Sequence, residues 1–506
     1  MGLLLRRELF RPAGDRLAEI ALRVTPGVVF YAVDQAGEQI GFASSTIDTT
    51  GTGVEVIDYF VADLPVGGAL HRASARSKVL LSRGMVLDSF SLDLQSEAGP
   101  IVITGKPSGD TLLTIATRSS PKEPADTQRV RLKGPVLLPT LVPLAIALGE
   151  RPKVGKTYAV SVFDPISMAP HDYTIAVQAE SLFVLSDSAA FDSSTKRWAS
   201  VHQDTVRGWR LASGGATGAA AGTGGGFAGW VDDQGRVVQL TQPGDLLLRR
   251  TAYELAFENW RLDNLKRPRT VAADRDIYET TAIASSLPLA NRVYERMRVR
   301  LGNVDLAGFD LAGDRQTFQH GILSIVRERK ASIVPGYALP SGREIEHRFA
   351  NELRPEPLLQ SDNWAIVTLA RRLAGTERDP TVVAERLNRW VHDSLEKKIT
   401  IGIPNALQVL RSRSGDCNEH TQLYLALARA AGIPARSAAG LAYVNGKFFY
   451  HAWPEVWLGR WVAVDPTFGE FPAAAAHLRF GPGGLTRQAE LLRLIGTLSI
   501  DVLDAS

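Results

Sequence analysis

The sequence predicts an α+β protein: an antiparallel, β-rich N-terminal region, then a C-terminal domain in which helices precede a sheet. Three observations carry this. Short β-branched and aromatic runs, each closed by turn residues, recur through the first ~260 residues. Apolar residues take up a helical repeat near residue 355. An alternating pattern then returns around Tyr450–Trp457. At roughly 100–200 residues per domain, 506 residues hold several domains, expected at 1–264 (β-rich), 271–350 (a smaller β-rich subdomain) and 351–506 (helical, then strand-bearing).

Composition narrows the class. The apolar fraction of 45% and charged fraction of 22% are those of an ordinary globular protein. A net charge of +3, dispersed along the chain, does not argue for nucleic acid, and no nucleic-acid motif is present. Cys417 is the only cysteine, so an intramolecular disulfide and a Cys-rich zinc site are both excluded. A bilayer span needs about 20 apolar residues. The best run, Leu137 to Leu148, is shorter and holds Pro139 and Pro143. Leu3-Leu4-Leu5 is too short for the apolar core of a signal peptide, so the chain as given is expected to be soluble.

Element by element, Val28 to Val33 reads as a strand, turned at Asp34-Gln35-Ala36-Gly37 into a second run through Ile40 and Phe42. The same punctuation separates Ile101–Thr104 from Thr111–Ile115, and Trp230 from Val237-Val238. Strands at such spacing suggest antiparallel sheets or an open barrel. Ala212 to Gly229, rich in Gly, Ala, Ser and Thr, reads as a flexible surface loop. Leu265 to Thr270, basic and carrying Pro268, reads as a linker. Beyond it, Val299-Arg300-Leu301 and Thr317–Val326 read as strands.

The helical region follows. Ile366, Leu369, Ala370 and Leu373 share one face. Asp379-Pro380 is an N-cap with proline in the first turn, opening a helix whose stripe is Val383, Leu387, Trp390, Val391 and Leu395. His392 lies off that stripe and reads as solvated. Leu423, Tyr424, Leu427 and Ala428 mark another helix, ended by Gly432-Ile433-Pro434.

Cys417 sits in the first turn of that last helix, after Gly415-Asp416. Unpaired N–H groups and the positive dipole end there favour a thiolate, and the same groups can serve an oxyanion hole. Downstream, His451, Trp453, Glu455 and Trp457 share one strand face. A hairpin through Gly459 brings Asp465 back toward His451. Cys417, His451 and Asp465 thus have the types and order of a nucleophile, a base and its orienter. Asp416 reads as a helix cap and Glu419 as a first-turn acid; either Glu419 or His420 could also tune the thiolate. Arg436 is an ion-pair candidate for Glu455, and Gln408 a candidate oxyanion donor. A zinc site from Cys417, His420 and His451 has suitable ligand types, but the triad already explains two of the three.

Four blocks in order resemble the bacterial branch of the transglutaminase-like superfamily. They are Gly415-Asp416-Cys417, Arg429-Ala430-Ala431-Gly432-Ile433-Pro434-Ala435-Arg436, His451-Ala452-Trp453-Pro454-Glu455-Val456 and Trp461 to Thr467. The resemblance covers roughly 355–480 and implies a papain-like transglutaminase core. It implies Cys417 as nucleophile, His451 as base and acid and Asp465 as orienter, with no cofactor and no metal. It further implies acyl transfer on amide bonds of a protein or peptide through a thioester. Water as acceptor makes a protease or amidase, the favoured reading. A lysine amine makes a crosslinking transglutaminase. A binding or scaffold protein carrying a vestigial enzyme domain is the alternative from another class. Relatives of this type suggest a bacterial envelope location.

Overall fold

The computed structural model describes residues 24–119, 124–149, 151–213, 228–242, 245–264 and 276–506, the last range without 288, 291, 357, 401, 484–490, 492–493 and 495–496. The chain divides into two compact units, Met1–Arg275 and Asp276–Ser506. The linker expected at Leu265–Thr270 lies outside the described residues.

The first unit is built on one antiparallel sheet, of fourteen strands among the described residues. Strands adjacent in sequence are mostly adjacent in the sheet. The exception closes the order on itself: Gly27–Gln35 pairs with Leu246–Thr251. At the two ends stand Asp126–Arg131 and Thr157–Asp164, and the chain leaving the first returns to the second. There Leu137 N donates to Ser161 O at 2.9 Å, and Phe163 N to Leu137 O at 2.7 Å. Alternation sets the faces: Val29, Tyr31 and Val33 turn inward on the first strand, with Ile40 and Ala43 on the next. The apolar run that is too short for a bilayer becomes the helix Val142–Gly149. Val142 and Ile146 pack there with Val162, Ile175, Trp209 and Leu211. A helix this short depends on such packing. Among the described residues, no helix is long and apolar enough to cross a membrane.

Two local expectations need correcting. The tract Ala212–Gly229 is not a loop at its ends. Ala212 and Ser213 finish the strand Arg197–Ser213, Ala228 and Gly229 begin Ala228–Val231, and Ala212 pairs with Ala228. Small residues suit this pairing because both alanines are buried together; residues 214–227 lie outside the described set. Thr317–Val326 is a hairpin of two strands, Gln316–Gln319 and Ile322–Val326, because His320 and Gly321 take up positive φ.

In the second unit, four helices (Trp364–Ala374, Pro380–Ser394, Ala406–Ser412 and Cys417–Ala430) gather around one core. The cap at Asp379 forms as expected, its carboxylate accepting from Thr381 N at 2.8 Å. The Cys417 helix is central: Leu423, Tyr424, Leu425 and Leu427 are all buried. Each such side chain contributes about 1.5–3 kcal/mol by leaving water. The helix packs on a sheet ordered Ile283-Ala284, Lys447–Trp457, Ala435–Val444 and His477–Pro482, with Trp461–Ala463 also paired to Lys447–Trp457. A four-stranded sheet orders Gln316–Gln319, Ile322–Val326, Arg296–Gly302 and Ser499–Ala505. Where the sequence suggested a boundary near 350, one core runs across it: Met297, Val299 and Leu323 pack with Leu441, Leu478 and Val502.

Candidate active site

Cys417 opens its helix because Asp416 caps it. The Asp416 carboxylate accepts from Asn418 N at 2.8 Å, and Glu419 reaches back to accept from Asp416 N at 3.0 Å. This reciprocal pair is a capping box. Gly415 makes room for it, since a Cβ there would lie 2.3 Å from Glu419 Cβ and 2.4 Å from its Cγ. Upstream, Ser414-Gly415 pairs in parallel with Glu396-Lys397, which fixes the approach to the thiol.

The helix is held to the sheet beside the histidine. Thr421 Oγ1 donates to Ala452 O at 3.1 Å, four residues along from Cys417. The Ala452 amide hydrogen-bonds the sulfur of Cys417. Cys417 itself is half-buried.

His451 lies on the strand Lys447–Trp457, and two aromatic rings stack against its own. Phe468 stacks on it at 4.8 Å and 6°, and Trp453 at 5.9 Å and 26°. Its Nε2 donates to Asp465 Oδ2 at 2.7 Å. A carboxylate can only accept, so the neutral ring carries its proton on Nε2 and presents the Nδ1 lone pair. The structure therefore brings His451 and Asp465 into direct contact, and sets Cys417 against the residue that follows His451.

Asp465 is wholly buried and accepts four hydrogen bonds. Oδ1 takes Thr467 N at 2.7 Å and Phe468 N at 3.0 Å. Oδ2 takes His451 Nε2 and, at 2.8 Å, His477 Nε2. Burial by itself would raise the carboxyl; the His451 charge and the hydrogen bonds of both histidines outweigh it and hold the group far below the usual range. Backbone bonds between Asp465 and Glu470, 2.9 and 2.8 Å, close the turn.

His477 is the site residue that sequence reasoning missed. It is buried at the start of the strand His477–Pro482, with Nδ1 3.2 Å from Ala474 O. The only local signal is a histidine within an apolar segment. Its significance comes from the pairing of His477–Pro482 with Ala435–Val444, which no local pattern encodes. The ligand atoms of His451, Asp465 and His477 all lie within 4.8 Å of one another. Hydrogen bonding from both rings to one oxygen accounts for that closeness.

Other neighbours divide. Arg436 pairs with Glu455 at 2.8 Å, as expected, with its guanidinium 4.0 Å from the centre of the Trp461 ring. His392 is not solvated: its Nδ1 lies 3.1 Å from Pro466 O, and its ring packs where a Cβ on Gly469 would meet it at 2.9 Å. His420 supplies no cation beside the sulfur. Its Nδ1 donates to Asp416 O at 2.7 Å, and burial lowers its pKa. Gln408 belongs to the helix Ala406–Ser412, its amide capped by Asn405 at 3.2 Å.

The thiol's state also departs from expectation. Burial pushes the Cys417 thiol well up, and the Asp416, Glu419 and Asp465 carboxylates add to this; the Ala452 amide opposes them. Burial, reinforced by the Asp416 and Asp465 charges, keeps the proton on the sulfur at neutral pH despite the helix terminus, so the protonated thiol is the resting form.

Comparison with known proteins agrees with the motifs. The family model of the transglutaminase-like superfamily matches residues 367–466. A curated relative, an uncharacterised protein of Mycobacterium leprae, is 28% identical over 130 residues, which is 24% of this chain and 46% of the relative. The chain thus spans just under half the length of the curated relative it matches. Among solved structures, a candidate cysteine protease from Cytophaga hutchinsonii shares 18% identity at a TM-score of 0.26, covering 42% of this chain and 83% of its own. A β-barrel-like domain of unknown function from Brucella abortus shares 13% identity at a TM-score of 0.29, covering 45% of this chain and 95% of its own.

Proposed function

Because residues 367–466 form a transglutaminase-like segment, we propose that the Asp276–Ser506 unit is a cysteine-dependent enzyme acting on amide bonds, with Cys417 as nucleophile. The observation that carries this reading is the His451–Asp465 contact at 2.7 Å, directly beside the residue that contacts the sulfur.

The proposed steps follow from where the protons sit. Cys417 rests as a thiol, so its proton passes to His451 Nδ1 as sulfur attacks the amide carbon. Asp465 holds the ring by Nε2 and stabilises the imidazolium formed. Asp416 already occupies the amides of Asn418 and Glu419, which leaves the Cys417 amide as the helix-start donor for the developing oxyanion. Collapse breaks the C–N bond, and His451 returns its proton to the leaving amine. The thioester remains. Water, deprotonated by the same Nδ1, then releases the acid and restores the thiol. Hydrolysis is the favoured outcome, with a protein or peptide as substrate; an amine in place of water would make a crosslink.

The test compares the full chain with Cys417→Ala on a denatured protein substrate, with and without a biotinylated alkylamine. New chain ends that require Cys417 are expected. Cysteine-dependent biotin incorporation without cleavage would replace hydrolysis by amine transfer. Neither product, with Cys417 shown by mass to be intact and unoxidised, would favour a binding or scaffold role.

A further inference from the structure

The first unit holds a half-open cavity of about 570 Å³ between its sheet and the start of the helix Val142–Gly149. Its walls are mainly apolar, with Ile47, Phe60, Val142, Ile175, Leu240 and Leu248 among them. That size and lining fit a drug-sized apolar molecule.

Among the polar residues of the lining, Asp58 has a buried oxygen without a partner among the described residues, whereas the second carboxylate, Asp164, accepts from Ile166 N at 2.9 Å and Ser167 N at 3.3 Å. Asp58 lies on the inward face of the strand Gly53–Val66, in register with Val54, Val56 and Ala62, which are buried. The Ser45 and Thr140 hydroxyls bond its carboxyl, yet burial outweighs them and pushes the pKa up to about 6. Its Oδ2 is buried and meets no hydrogen-bond donor among the described residues. Leaving a buried acceptor unmade is costly, so a site of this kind is complete only with a donor. Arg236 also lines the cavity, but its guanidinium is turned to backbone carbonyls, Gly27 O at 3.1 Å and Thr25 O at 2.8 Å. The cavity therefore offers an acceptor and an apolar body, and the one cation among its described lining residues is engaged elsewhere.

We propose that this cavity binds a long-chain amphiphile whose head group donates a hydrogen bond to Asp58, an aliphatic amine or alcohol. The chain fills the apolar space and the head completes Oδ2. A carboxylate head would bring a second acceptor, and a like charge, against the first.

Displacement of Nile red from the full-length protein tests this at pH 8, with decylamine, decanol and decanoate below their micellar concentrations. Decylamine and decanol should displace the dye, with decanoate weaker by roughly tenfold or more, the scale of a charge-assisted hydrogen bond exchanged for a repulsion. A preference for amine over alcohol would mark a charged ligand, and equal binding a neutral one. In Asp58→Asn the amide can donate as well as accept, so decanoate should gain and the ranking flatten. Ser77→Trp, at a small half-buried wall residue, should weaken all three. Decanoate binding as tightly as decylamine, an unchanged ranking in Asp58→Asn, or no displacement by any of them would overturn the proposal. Should Ser77→Trp fail to fold by circular dichroism, the near-isosteric Asp58→Asn still decides.

Discussion

Replacing Asp465 with asparagine sets two of its neighbours in conflict. Oδ1 accepts two backbone amides, from Thr467 and Phe468, so the new amide oxygen must stay there. The NH₂ then occupies the place of Oδ2, facing His451 Nε2 and His477 Nε2, which both donated to it at 2.7 and 2.8 Å. Each ring can avoid donor-against-donor contact by moving its proton to Nδ1. For His477 this is harmless, since Ala474 O accepts there. For His451 it places a proton on the nitrogen that should act as base. Turnover should therefore fall by about 10²–10⁴, the upper figure being that of the same change in a serine triad, or about 2.7–5.4 kcal/mol in barrier. Alkylation of the sole thiol should move the other way. The Asp465 charge is one of the causes holding Cys417 protonated, so its loss should speed iodoacetamide a few-fold at pH 8. Stability supplies a third readout. The folded carboxyl lies below its unfolded value, so its contribution is complete above about pH 4 and fades as pH falls further. The variant should be less stable by roughly 3 kcal/mol at pH 7, with the gap beginning to narrow below about pH 4 and closing only as pH falls through the much lower folded pKa. Urea melts across that range, alkylation followed by mass, and hydrolysis of one substrate measure all three. Unchanged turnover with unchanged alkylation would refute the orienting role and leave Asp465 as a turn former.

Two further changes probe the surroundings. Glu419 is raised to about 8, by burial first and then by Asp416, so it is mostly protonated at neutral pH. Glu419→Gln should alter stability by less than about 0.5 kcal/mol and speed alkylation only above pH 8, where the native charge would appear; Glu419→Ala should lose about 1 kcal/mol of capping in urea melts. His477→Phe removes one donor from Asp465, so the stabilisation lost in acid should be smaller and its loss complete at a higher pH, with turnover down about tenfold; His477→Gln, which can still donate, should recover part of both.

What was legible in the sequence was local. The cap at Asp379, the turn at Gly459 and the Arg436–Glu455 pair each depend on residues a few positions apart or directly cross-strand. The motif blocks around Cys417, His451 and Asp465 are short for the same reason. What escaped depends on contacts between distant segments. His477 reaches Asp465 only because its strand joins Ala435–Val444. Ser499–Ala505 completes a sheet with Arg296–Gly302, about two hundred positions earlier. The thiol's resting state escaped because it is a balance. The helix terminus is visible in the sequence, whereas three carboxylates converging with burial is a property of the packed site.

That protonated thiol bears on how long the protein lasts under oxidative stress. Peroxide attacks thiolate far faster than thiol, so a sulfur that rests as the thiol is sheltered for as long as it keeps its proton. The shelter has a counterpart. With Cys417 the only cysteine, a sulfenic acid formed there has no partner within the chain to convert it into a disulfide. Its rescue must come from an external thiol before a second oxidation makes the damage permanent.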